Sequence, residues 1–171
     1  MNNIHKFSMR LEEPFLEKYG AEPPEDPLGE LSEFQLGIRR FCFECNHTVS
    51  LEIGDEAITV FLEPDICMIL EEMPYQFPKF SQGKAMEIGF CETCGLTIKL
   101  VPLAHEISCS LEYFGYSTSQ PKNFQLDKSQ VVGALKNFLD EVMQMAVDKG
   151  YITPEQRREF LMPMEQRAME S

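Results

Sequence analysis

The residues whose types and spacing best suit chemistry are two cysteine pairs, Cys42-Phe43-Glu44-Cys45 and Cys91-Glu92-Thr93-Cys94. A two-residue spacer lets both sulfurs of a tight turn point at one ion, so two such hooks supply the four thiolates of a tetrahedral zinc site. Four protein ligands leave no open position for substrate, and the pattern therefore predicts a folding device more readily than a catalyst. The same thiolates at Cys42, Cys45, Cys91 and Cys94 would serve iron in a rubredoxin-type site. Gly95, just past the second hook, suits a backbone of positive φ, and Asn46 occupies the matching point of the first. The rival readings are core thiols, disulfides or a redox pair. Two chance C-x2-C pairs in one short chain are uncommon, and thiol oxidoreductases normally carry a single pair at a helix start, whereas both hooks here lie between strand-like runs.

Other candidates carry weaker chemistry. His47, two residues after Cys45, could replace a thiolate, although four cysteines already complete the shell. His105 and Glu106 could form an acid/base pair in a small enzyme, but no nucleophile motif accompanies them. Cys67 and Cys109 stand in apolar contexts and read as buried core thiols. Nucleophile elbows, phosphate-binding loops, dinucleotide fingerprints and H-E-x-x-H motifs are absent. The sequence thus reads as non-enzymatic.

Charge narrows the partners. The chain of 171 residues has 28 Asp and Glu against 15 Lys and Arg, a net charge of −13. Residues 1–35 carry three bases against eight acids and residues 36–95 four against ten, while 96–125 balance at two each. A phosphate backbone demands a Lys/Arg field, so direct nucleic-acid binding is disfavoured outside a small spot at Arg39-Arg40 or Lys79 with Lys84. An acidic mimic of nucleic acid, or a partner of nucleic-acid machinery, is the alternative that such a surface allows. Apolar residues make up 43% of the chain, no apolar run approaches the roughly eighteen needed to span a bilayer, and the first residues lack a secretion signal's apolar core. The expectation is a cytoplasmic protein with reduced thiols and no membrane contact.

The elements that must position the hooks follow from patterning. Residues 8–19 suggest a helix starting near Glu13, and the proline-rich stretch 21–30 an acidic arm. Residues 36–43 lead into the first hook. Val49, Leu51 and Ile53 alternate in a strand, residues 57–62 form a second β run, and 65–73 a helical turn or two capped by Asp65 and stopped by Pro74. Tyr75, Phe77 and Phe80 mark an aromatic loop, either a recognition surface or a lid on the zinc site or the sheet. Strands over 84–90 and 96–101 flank the second hook, a third run covers 107–114, and 117–126 read as loop. Val131, Leu135, Phe138, Leu139 and Val142 lie on one helical face starting at Asp127 or Ser129 and closing at Lys149-Gly150. Thr153-Pro154-Glu155-Gln156 opens a shorter helix with a capping box.

Two hooks divided by a long insertion, Glu63-Pro64-Asp65 within it, and Val101-Pro102-Leu103-Ala104-His105-Glu106 after it give residues 36–116 a pattern that resembles the bacterial CpXC domain. The resemblance implies an expanded zinc ribbon with a structural metal and supplies no activity. The reading is an α+β chain: an acidic N-terminal helix and Pro-rich arm over 1–35, an antiparallel zinc-ribbon-like β-domain with an insertion over 36–116, and a helical hairpin packed on it over 117–171. The broad apolar face of the hairpin, with Phe160, Leu161, Met162 and Met164, predicts self-association or a protein partner.

Overall fold

Alternation of apolar and polar residues builds the strands, and it does so from the first residues described. In the computed structural model, which describes residues 3–15, 23–90, 95–114 and 120–165, the fold is mixed α+β with mostly antiparallel sheets. The chain begins with β1 (Ile4–His5) and β2 (Phe7–Pro14). Helix α1 (Glu33–Glu44) is followed by the hairpin β3 (His47–Ile53) and β4 (Glu56–Phe61). A wide π-type turn over Leu62–Ile66 leads into α2 (Cys67–Leu70) and α3 (Met73–Ser81). Next come β5 (Met86–Phe90), β6 (Leu96–Leu103), β7 (Glu106–Tyr113) and β8 (Lys122–Asp127). The chain closes with α4 (Lys128–Asp148) and α5 (Pro154–Glu165).

The described strands form two sheets: β1-β8-β7-β6-β5, with β1 parallel to β8 and the other pairs antiparallel, and β2-β3-β4. Register explains their buried faces. Met86, Leu100, Cys109 and Phe124 lie in one row across four strands, and all four side chains are buried. In the smaller sheet Phe7 faces Ile53, Met9 faces Leu51 and Leu11 faces Val49.

That pairing corrects the helix expected over 8–19. Phe7, Met9 and Leu11 alternate with period two, and an apolar partner strand at matching register outweighs local helical propensity. The rest of the expected helix, residues 16–19, lies outside the described residues. Residues 36–43 are likewise helical instead of an extended lead. Ser32 Oγ accepts from Gln35 N, Gln35 Oε1 accepts from Ser32 N, and Ile38, Phe41 and Cys42 then fall on one buried face.

The aromatic loop is helix α3. Pro74 stands in its first turn, where proline initiates instead of stopping, and Phe77 and Phe80 enter the core three residues apart while Tyr75 stays exposed. Asp65 does not cap a helix either: its Oδ2 accepts from Phe61 N on the preceding strand. The polar stretch before α4 contains β8, whose Phe124 and Leu126 alternate into the sheet.

Helices α4 and α5 form the expected hairpin. Asp127 Oδ2 accepts from Gln130 N to cap α4, and Gln130 Oε1 accepts from Phe7 N to tie the helix start to β2. Thr153 and Gln156 exchange reciprocal bonds at the start of α5, and Gly150 closes α4 with φ +81°. The apolar face of α4 is covered within the chain by β2, β8 and α5, and α5 also packs on α3. Of the tail residues expected at an interface, Leu161 and Met164 are buried inside this chain, Phe160 is half-buried, and Met162 is exposed. One continuous apolar core joins residues from all three segments of the chain. No helix among the described residues is long and apolar enough to cross a membrane.

Candidate metal centre

The first hook forms the last turn of α1. Cys45 closes the helix through its N–H to Phe41 O at 2.8 Å, and Cys42, one turn earlier, is fully buried. Residues three apart on a helix share a face, so the spacing that predicted a knuckle here places two thiols on one side of a helix end. The left-handed backbone expected at Asn46 is absent. Its side-chain amide acts instead, accepting from Glu63 N at 3.0 Å and donating to Glu63 O at 3.1 Å. The hook is thereby clamped to the Glu63-Pro64-Asp65 element in the insertion.

A second clamp comes from the far end of the chain. Gly37 lies so close to the α4–α5 connection that a Cβ there would stand 2.3 Å from Tyr151 O. The close approach brings the Tyr151 ring against Phe41 and its hydroxyl between the Cys45 thiol, at 3.8 Å, and the Glu44 carboxylate, to which it donates. The Glu44 hydrogen bond, with burial and Cys45 behind it, raises the Tyr151 pKa, so the phenol stays protonated.

Cys67 joins this group from the first residue of α2. A hydrogen bond between the Cys42 and Cys67 thiols, together with burial, pushes Cys42 well above the ordinary thiol range. Burial also raises Glu63, while the Cys67 thiol donating to it and the nearby Arg39 work the other way. Cys67 is only half-buried. It opens on a cavity of about 490 Å³ shared with Arg39, Glu63 and Glu71, so Cys67 is not the enclosed core thiol expected from its apolar neighbours.

The second hook falls on the connection of the β5–β6 hairpin. The chain leaves the sheet at Phe90 and re-enters opposite it at Leu96, while Cys91 and Cys94 lie outside the described residues. Gly95 has the positive φ expected of it, +58°, and its carbonyl accepts from Phe114 N at 2.6 Å. Gly89 and Thr97, paired one step inside the hairpin end, share a cavity of about 310 Å³ with Asp65, Met68 and Ile69. Gly89 and Thr97 therefore border the Asp65–Ile69 segment, which carries Cys67.

Thiols suit a thiophilic ion, and Cys42 and Cys45 at the helix end would supply two ligands of a four-thiolate shell, with Cys91 and Cys94, outside the described residues, left to supply the others. Among the described residues no group of three or more Cys, His, Asp or Glu closes around an ion, so Cys67 does not complete a shell with the first hook alone. His47 is committed elsewhere: its Nδ1 lies 2.7 Å from Glu12 O, a carbonyl that can only accept. Cys109 is enclosed by apolar sheet residues, and burial pushes its thiol up to about 12.

His105 is exposed in the two-residue turn between β6 and β7, where Ala104 has φ +56°, and neither His105 nor Glu106 lines a cavity described above. Arg39 and Arg40 are both exposed on α1, but Arg39 sits beside Glu63 and Glu71. Sequence reasoning missed the roles of Asn46, Cys67 and Tyr151. The signal available for Asn46 was its position after the hook; for Tyr151, over a hundred residues downstream, nothing local pointed to the contact. Compared with family models, curated proteins and solved structures, the chain finds no match in any of the three.

Proposed function

We propose that the chain is a metal-stabilised module, of the expanded zinc-ribbon kind that the CpXC resemblance implies, acting through protein contacts and not through catalysis. The observation that carries this reading is the setting of the first hook. Two thiols share one face at the end of a capped helix, held by Asn46 to the insertion and by Tyr151 to the helical hairpin. Zinc, or iron in the same shell, would be held by Cys42, Cys45, Cys91 and Cys94, and when bound it would supply a structural crosslink.

The chain's own residues support such a role without the ion taking part in a reaction. Asn46 fixes where the hook meets the insertion, Tyr151 shields Cys45, and the satisfied caps of α1 and α5 hold the elements that converge there. A reducing cytoplasm would keep the thiols free to bind.

Chelation tests the reading. Stripping metal with 1,10-phenanthroline should abolish the cooperative thermal transition seen by circular dichroism, and added zinc should restore it. An unchanged melting temperature after stripping would sink the idea.

A further inference from the structure

We propose that the groove between the start of α1, α3 and α5 binds a cationic amphipathic peptide segment of a partner protein. This deepens the protein-contact reading above and rests on it for the nature of the ligand, while the groove itself stands on separate observations.

The groove encloses about 1200 Å³, beyond the roughly 300–1,000 Å³ typical of small-molecule sites. Its apolar lining is aromatic. Phe34 and Phe160 meet with centroids 5.5 Å apart at 38°, and Tyr75 stands 64% exposed on α3. Exposed aromatic area on rigid helices is what a peptide's apolar side chains need, because little entropy is lost on contact.

Its polar lining is acidic. Glu33, Glu71, Glu72 and Glu159 line it with Lys79 as the one basic side chain among the described lining residues. Gln35 Nε2 donates to Glu71 at 3.3 Å, whereas the carboxylates of Glu33, Glu72 and Glu159 have no hydrogen-bond or ion-pair partner among the described residues. The helix starts that open here are closed by their own capping boxes, so they offer little to an anion.

These features select the ligand. A bare metal ion finds no converging ligand set among the described residues, and phosphate or an anionic lipid would meet a net excess of carboxylates. Lysine or arginine on an apolar helical scaffold satisfies both linings. The cations pair with Glu72 and Glu159 or stack on Tyr75, and the apolar side chains cover Phe34 and Phe160.

The test uses the full chain as purified and a short fluorescein-labelled peptide of Lys, Arg, Leu and Phe at helical spacing. Anisotropy should show saturable binding, weakened about tenfold by Glu72→Lys and by Glu159→Lys. Asp55→Lys, in the exposed β3–β4 turn, makes the same charge change outside the groove and should leave binding unchanged. No binding, equal weakening by Asp55→Lys, equal affinity for the peptide with Glu in place of Lys and Arg, or displacement by spermine at matching affinity would each overturn the proposal. Metal content measured on the same samples separates the two readings. Peptide binding by metal-free protein supports the groove and removes the metal; intact metal with no peptide binding removes the groove alone.

Discussion

Cys42 and Cys109 are both fully buried thiols, yet they sit in different chemistry. Cys109 lies in mid-strand, in a row with Met86, Leu100 and Phe124, and burial alone raises its pKa. Cys42 is raised first by a hydrogen bond to Cys67 and then by burial, with Glu63 and Cys45 adding their charge. Burial in an apolar sheet leaves Cys109 inert, whereas Cys42 is buried beside other thiols and a carboxylate, the setting on which the proposed metal shell draws.

The largest test of this contrast is the paired substitution. Cys42→Ser should cost the metal's contribution to folding, on the order of 10 kcal/mol, and leave no soluble folded protein. Cys109→Ala should cost about 1–3 kcal/mol as an ordinary core change. Soluble yield and urea midpoints check both, and equal losses would erase the distinction.

The contrast sharpens at the clamps that belong to Cys42's side only. Gly37→Ala forces a Cβ against Tyr151 O and should lower stability by about 3 kcal/mol through overpacking. Asn46→Ala removes both bonds to the Glu63 backbone and should cost about 2 kcal/mol by leaving those groups unpaired. Both variants should also release metal faster to a chelator, as followed by a chromogenic zinc indicator. If neither changes the release rate, the clamps serve the fold and not the hook.

A smaller effect tests Cys109 by pH. Its folded pKa, about 12, lies above the ordinary 9.0, so its contribution is fully present below pH 9 and fades as pH rises toward 12, where the unfolded chain loses a proton that the folded chain keeps. Wild type should therefore lose stability relative to Cys109→Ala across that window, measured by urea titration at matched pH. A gap that stays constant would contradict the enclosed thiol.

The long periodic elements were legible in the sequence. Strand β3, the strands beside the second hook, helix α4 with its Asp127 cap and the Thr153 box of α5 all rest on patterns read over neighbouring residues. Failures came where a distant partner decided. Phe7, Met9 and Leu11 are strand because β3 offers matching apolar positions, and the segment carrying Phe77 and Phe80 is helix and not loop, although their cover of the sheet is one of the two readings the aromatic pattern allowed. Half of the candidate site, the hook cysteines, could be read from spacing. The Asn46 clamp, Cys67 beside Cys42 and the Tyr151 contact across Gly37 depend on chain segments that only the fold brings together.

The most direct measurement is metal content by elemental analysis of protein purified without added metal. The account predicts about one zinc or iron per chain, retained in Cys109→Ala and lost from whatever soluble protein Cys42→Ser or Cys91→Ser yields. Wild-type protein that carries neither metal, or that keeps its full complement when Cys42 or Cys91 is replaced, would contradict it.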